Sequence, residues 1–408
     1  MSQKEDIVLV SGIRTPFGRF GGSLKDLDCF DLSAQVMKEA VNRAGLEASM
    51  VDEVIWGVGD TVSSKDVYTP VVARQALLKA GFPPETPSCS FDKACVSGIS
   101  AVQMGRRAIW AGEAEVILAG GITTFSRIPF LLREKRWSGH RMGPIFLEDP
   151  LFELGYKDYN PVAVDAGEVA VEHGIMREAQ DEWAAQSHMR YGRAYERGAF
   201  QEEMLPLEVE QLEGRDKKLI VLDIDEQYRA NITLEKLQKL PLIYGSPTVT
   251  AGNAPGLNDG AAAVIMMSRK RADSLGLKPL AAVVSVVSTA MAPRLLAEGP
   301  AKAAKMALQQ ASLKLNDMKR IEINEAFAAV TLVSAKILAE DNKDKLEEMQ
   351  SRLNVNGGAI AIGHANTCSG TRLLIHLAYE LKRLGGGYGL AAICGGLAQA
   401  DACIIKVE

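Results

Sequence analysis

Short β-branched runs alternate with helical patterns along most of this chain, and that alternation restricts the fold more than any other feature. Residues 7–11, 54–58, 88–91 and 116–119 carry strand character, with helical patterns at 31–44, 71–80 and 97–111 between them. Such an order builds βαβ units around mostly parallel sheets. The last third repeats it, with strand patterns at 281–287, 321–323, 352–355 and 389–393 and helical patterns at 300–311, 327–338 and 369–384. The two regions also echo each other: EVILAGG at 115–121 closes the first as GLAAICGG at 389–396 closes the second. A chain of 408 residues exceeds one ordinary core. Two similar α/β halves are therefore expected, with helix N-termini converging on a shared site.

Between the halves lies a stretch of different character, roughly 122–250, with a charge-dense run at 133–141, an acidic and aromatic segment at 146–159 and a long helical pattern around 177–197. It reads as an insertion covering the site, and Arg133-Glu134-Lys135-Arg136 reads as a solvated face. The expected division is residues 1–121 with 251–272 as one half, 122–250 as the loop domain and 273–408 as the other half. A formal charge of −5 gives no general attraction to nucleic acid or an anionic membrane. No run of 18 apolar residues occurs, and the N-terminus has no cleavage signature, so neither a membrane span nor a signal peptide is expected. Six cysteines without a CxxC pair point to reduced thiols and a cytoplasmic setting.

Cys95 stands at a strand-to-helix corner, with Ser97 and Gly98 behind it. A thiol there meets the positive end of the helix dipole, which is expected to lower its pKa. The competing reading is an inert core cysteine. His364 ends a glycine-rich stretch, where backbone approaches a ligand closely and an imidazole can serve as base or donor; a loop histidine without a role is the alternative. Of the other histidines, His376 falls on an apolar helical pattern and reads as packing, while His140, His173 and His188 read as surface residues. Cys394 ends a buried-type strand before Gly395-Gly396, whose amides are candidate oxyanion donors. Taken alone it reads rather as a packed strand-end thiol. Asn324 is either a helix N-cap or a polar group of the site. No metal-ligand spacing, GxxxxGK[ST] loop or GxSxG elbow is present.

Seven motifs in order resemble the thiolase family across essentially the whole length. They are Arg14-Thr15-Pro16-Phe17-Gly18, Cys95 with Ser97-Gly98, Thr250-Ala251-Gly252-Asn253, Asn258-Asp259-Gly260-Ala261-Ala262-Ala263, Asn324-Glu325-Ala326-Phe327-Ala328, Asn356-Gly357-Gly358 through Gly363-His364, and Cys394-Gly395-Gly396. The resemblance implies a five-layer αβαβα fold, with helix layers alternating with two sheets, in a homodimer or homotetramer. It implies acyl transfer between CoA and the α-carbon of acetyl-CoA, with acetoacetyl-CoA as default substrate and longer 3-ketoacyl-CoA next. CoA thioesters are then substrates, and no cofactor or metal is called for.

By that resemblance Cys95 would take the acyl group, and His364 would activate the thiol and later hold a thioester oxygen. Cys394 would move the proton, and Asn324 would position a water against the enolate. The amides of Cys95 and Gly396 would form a second oxyanion hole. CoA would pass Ala254, Pro255 and Phe327, with Arg229 beside the adenine. The chain departs from the family pattern at Val96, Pro255, Ala365, Leu397-Ala398 and Pro161-Val162-Ala163. Those changes touch the pocket wall and leave the chemistry. Two other readings are a decarboxylating condensing enzyme, which normally lacks the second cysteine, and a thiolase-like acyl-CoA-binding or scaffold protein without turnover. The latter would be marked by loss of Cys95, His364 or Cys394.

Overall fold

A computed structural model describes residues 5–59, 70–132, 135–152, 155–156, 158–213 and 216–408. The first half supplies β1 (Ile7–Arg14), β2 (Gly18–Arg19), β3 (Glu53–Val58), β4 (Ser88–Phe91) and β5 (Val116–Thr123). The insertion carries a hairpin of β6 (Leu207–Glu213) and β7 (Asp216–Leu222). After it come β8 (Asn258–Ser268), β9 (Ala281–Ala290), β10 (Met318–Ile323), β11 (Gly387–Gly395) and β12 (Gln399–Val407). The sheet order is β10-β11-β12-β9-β1-β8-β5-β3-β4.

β3 runs parallel to β4 and β5, while β5–β8 and β8–β1 are antiparallel. The other side repeats this: β10–β11 is parallel, and β11–β12 and β12–β9 are antiparallel. β5 and β11, the strands of the sequence echo, thus hold equivalent places. The two half-sheets are hydrogen-bonded into one through Val8 with Ala282 and Leu9 with Ala281.

Helix Cys29–Ala44 packs on β1 and β8, and helix Gly299–Ala311 on β9, β11 and β12. Helices Ser97–Ala111 and Asn366–Arg383 lie between the half-sheets and touch strands of both, which completes the αβαβα layering. They cross where neither can carry a Cβ. One on Gly98 would stand 2.4 Å from the Thr371 amide nitrogen, and one on Gly370 2.7 Å from that of Ile99. This is why small residues follow Cys95. The central strands read as unbroken apolar runs because both faces are covered, as in β5 and β8, buried throughout.

Two features depart from the expectation. Residues 352–355 form isolated bridges in place of a strand, since Asn354 takes a left-handed conformation (φ 46°) and spends its amide on the Ile323 backbone. β8 and β12 carry no assignment in the sequence reading, nor does the β6–β7 hairpin. Arg133 and Glu134 of the charged run lie outside the described residues, whereas Lys135 and Arg136 are exposed. Among the described residues no helix is long and apolar enough to cross a membrane.

Candidate active site

The corner carrying Cys95 is built by side chains around it. Asp92 accepts from the Ala94 amide at 2.7 Å, and Ala94 takes a left-handed φ of 48° that starts a 3₁₀ turn, Ala94–Val96. Ser97 Oγ accepts from the Lys93 amide at 2.9 Å, closing the turn into the helix behind it. Lys93 Nζ then reaches across to Asp401 Oδ1 on β12 at 3.0 Å, so the first half's corner is tied to the second half.

His364 is held from both sides. Its backbone amide donates to Asn258 Oδ1 at 2.8 Å, and Gly363 turns at φ 111°, where a Cβ would lie 2.8 Å from the Asn258 amide carbon. Ser369 Oγ donates to the Ala365 carbonyl at 2.9 Å and lies 2.8 Å from His364 Nδ1, so Nδ1–H donates to Ser369. Nε2 is left with its lone pair toward Cys95 Sγ, at 3.1 Å. Asn324 lies behind the ring, fully buried, its Nδ2 at 3.5 Å from Nδ1. Its Oδ1 is buried with no hydrogen-bond partner among the described residues.

Glu325 fixes the same region from below. It accepts from Trp183 Nε1 (2.9 Å), Ser187 Oγ (2.8 Å), Asn354 Nδ2 (3.1 Å) and the Ile360 amide (3.0 Å). The carboxylate thereby ties the loop before His364 to helix Arg177–Glu196. Arg14 has a comparable anchoring role at the end of β1, pairing with Glu203 at 2.8 Å and bidentately with Asp225.

Cys95, His364, Cys394 and Gly396 line one pocket of about 140 Å³, with Phe125, Tyr156, Val162, Leu257, Leu296 and Asn366. Pro255 and Phe327 line it too. Ala254 is buried in the core, and Arg229 is exposed; neither borders this pocket. A side chain at Gly395 or Gly396 would force a neighbour to move: a Cβ would meet Val96 Cγ1 at 2.9 Å in the first case and Tyr156 Oη at 2.0 Å in the second. Leu397 and Ala398 follow at φ 55° and 57°, a conformation that glycine adopts without the cost it carries here.

The charge state differs from the expectation for Cys95. Burial pushes its pKa up to about 12, outweighing the backbone hydrogen bond that favours the thiolate, and the Asp92 charge adds to the rise. Burial, aided by the positive Arg372, pulls His364 down to about 3. Burial and then Cys95 push Cys394 well above the thiol range. The resting pair is therefore a neutral thiol hydrogen-bonded to a neutral imidazole. His188, expected at the surface, is buried, accepts from the Arg229 amide and is lowered to about 4, chiefly by burial. His376 is buried as expected, but inside a polar network with Glu203 and Asn356. Tyr156, Ser369 and Asn258 escaped the sequence reading as site residues. Asn258 sits inside a motif already singled out, Ser369 follows the His364 motif by five residues, and Tyr156 lies in the aromatic segment of the covering insertion without a signal of its own.

Residues 7–270 match the family model for the thiolase N-terminal domain, and residues 277–407 that for the thiolase C-terminal domain. The chain belongs to the thiolase family. An acetyl-CoA acetyltransferase of Syntrophomonas wolfei is 40% identical over 98% of this chain and 99% of that protein. The crystal structure of human mitochondrial 3-ketoacyl-CoA thiolase superposes with a TM-score of 0.90 at 39% identity, covering 98% of each chain. A second crystal structure of that human enzyme, in complex with CoA, gives 0.90 at 38% over 99% of this chain and 98% of that one. As a thiolase the chain is an acyltransferase acting on CoA thioesters.

Proposed function

We propose that this thiolase moves an acyl group reversibly between CoA and the α-carbon of acetyl-CoA through an acyl-Cys95 intermediate, with acetoacetyl-CoA as default substrate. The observation carrying the reading is the Cys95 thiol 3.1 Å from His364 Nε2 in a pocket that also holds Cys394. Attack by Cys95 on the thioester carbonyl sends the thiol proton to Nε2. The carbonyl electron pair moves to oxygen and returns as the bond to the CoA sulfur breaks; Cys394 gives its proton to the outgoing CoA sulfur and becomes a thiolate, while Nε2 keeps the proton from Cys95. The Cys394 thiolate, conjugate base of so weak an acid, is a strong base for the α-proton of the second thioester, and Nε2 returns its proton to the Cys95 sulfur when the acyl group leaves.

The carbanion so formed attacks acyl-Cys95, and the thiolysis direction retraces these steps. The amides of Cys95 and Gly396 stabilise the oxygen of the first adduct. His364, with a water held by the unpartnered Asn324 Oδ1, stabilises that of the enolate. Two thiols and an imidazole meet the demands of the reaction, so we assign no cofactor. The pantetheine arm runs past Pro255 and Phe327, with Ala254 supporting Pro255 from the core and Arg229 left for the adenine end. The apolar wall of Val162, Leu257 and Leu296 favours, as a second reading, longer 3-ketoacyl-CoA, and thiolysis rates across chain length separate the two. Six free cysteines support a reducing, cytoplasmic setting.

The test uses two variants. Cys95→Ala is expected to abolish transfer and to carry no acetyl adduct by mass spectrometry, whereas the parent carries it on Cys95. Cys394→Ala is expected to acetylate at Cys95 yet form no carbon–carbon bond; normal condensation by that variant would remove the shuttle role.

A further inference from the structure

The Tyr156 phenol enters the site from the insertion and is used by no step above. It lines the same pocket as both cysteines and His364. Its hydroxyl lies against Gly396 so closely that a Cβ there would stand 2.0 Å from Oη, with Cζ at 2.8 Å. Gly396 supplies one of the two amides assigned to the oxygen of the acyl adduct. Charge on Cys95 or Cys394 is felt by the phenol, and burial is the larger cause of its strongly raised pKa, so it stays protonated. Tyr156 belongs to no helix or strand.

We propose that the Tyr156 hydroxyl is a third donor to the oxygen of the acyl group on Cys95, beside the amides of Cys95 and Gly396. As sulfur attacks, the carbonyl π pair moves onto that oxygen. The hydroxyl keeps its proton and donates a hydrogen bond, so nothing is transferred and the balance of the acylation step is unchanged. The assignment rests on the acyl-Cys95 chemistry of the preceding section. It also gives Gly396 a second reason to lack a side chain: a methyl group there would displace the donor.

Single-turnover acetylation of Cys95 by acetyl-CoA, followed by quench and mass spectrometry on the full chain, tests it. Tyr156→Phe keeps the ring and loses the donor. Because a single preorganised oxyanion donor is worth about 10²–10³ in rate and this one rides on a loop, acetylation is expected to slow by about 10- to 100-fold. Half-saturation by acetyl-CoA should shift by less than about twofold, since the bond forms mainly in the transition state. Tyr156→Leu should be at least as slow. Wild-type acetylation by Tyr156→Phe, whether Tyr156→Leu is fast or slow, would leave the ring as packing only and overturn the assignment. A loss confined to the carbon–carbon step, with acetylation intact, would overturn it as well. A parent chain that takes no acetyl group on Cys95 would instead overturn the underlying thiolase mechanism, a result distinct from either.

Discussion

Proton location at Cys95 governs how this site starts. Thiol and imidazole are both held neutral by burial, so nucleophile and base act together in the attack. An ion pair would make the thiolate available at neutral pH. Here the rate of alkylation of free Cys95 by iodoacetamide is expected to keep climbing from pH 6 to beyond pH 9, toward the value of about 12. A plateau near neutrality would mean a thiolate–imidazolium pair. The sign for stability follows the same logic. His364 at about 3 and His188 at about 4 bind fewer protons folded than unfolded, where the value is near 6.5. Acidification from about pH 6.5 downward therefore favours the unfolded chain, and the melting temperature should fall through that window. At this scale the sequence left Cys95, His364 and Cys394 open when each was read singly, and the thiolase resemblance joined them; the structure sets the three around one pocket. The dipole argument failed because it weighed one helix end and could not see how much protein surrounds the sulfur. Tyr156 was invisible for a related reason: a loop residue has no periodicity to say where it will point.

Among elements, the loop bearing His364 is anchored by Glu325 as well as shaped by its own glycines. Glu325→Ala would strand the Trp183, Ser187 and Asn354 donors and the Ile360 amide in a dry interior. Each buried unsatisfied group costs about 1–3 kcal/mol, and partial relaxation brings the expected loss to about 3 kcal/mol, read by denaturant unfolding. Acetylation of Cys95 should slow at the same time, because His364 follows that loop. Wild-type stability in the variant would remove Glu325 from its anchoring role. Strand and helix positions were legible at several elements, and for β4 and helix Ser97–Ala111 the expected bounds and the observed ones coincide. β8 was not, because Asn258-Asp259-Gly260 reads as a turn and an alanine run has no period of two. Its strand state comes from the neighbours: β1 and β5 pair along it, and a Cβ on Gly120 would lie 2.1 Å from the Ala262 carbonyl oxygen. Long-range pairing overrode local preference.

The molecule as a whole leaves surface that a single chain does not cover. β4 is an outer strand of the sheet, and Trp137, Met142 and Phe146 of the insertion are 93%, 88% and 80% exposed. Open edges and large exposed apolar side chains favour association. We expect a homodimer or homotetramer, to be checked by sedimentation equilibrium; a monomer across micromolar concentrations would refute it. Within one chain, the Lys93–Asp401 bridge spans a joint that the sheet itself closes with two residue pairs. Gentle warming that slackens this joint would swing the nucleophile away from its base long before any helix melts. Turnover would then decay at temperatures where far-ultraviolet circular dichroism is still flat, and recover on cooling.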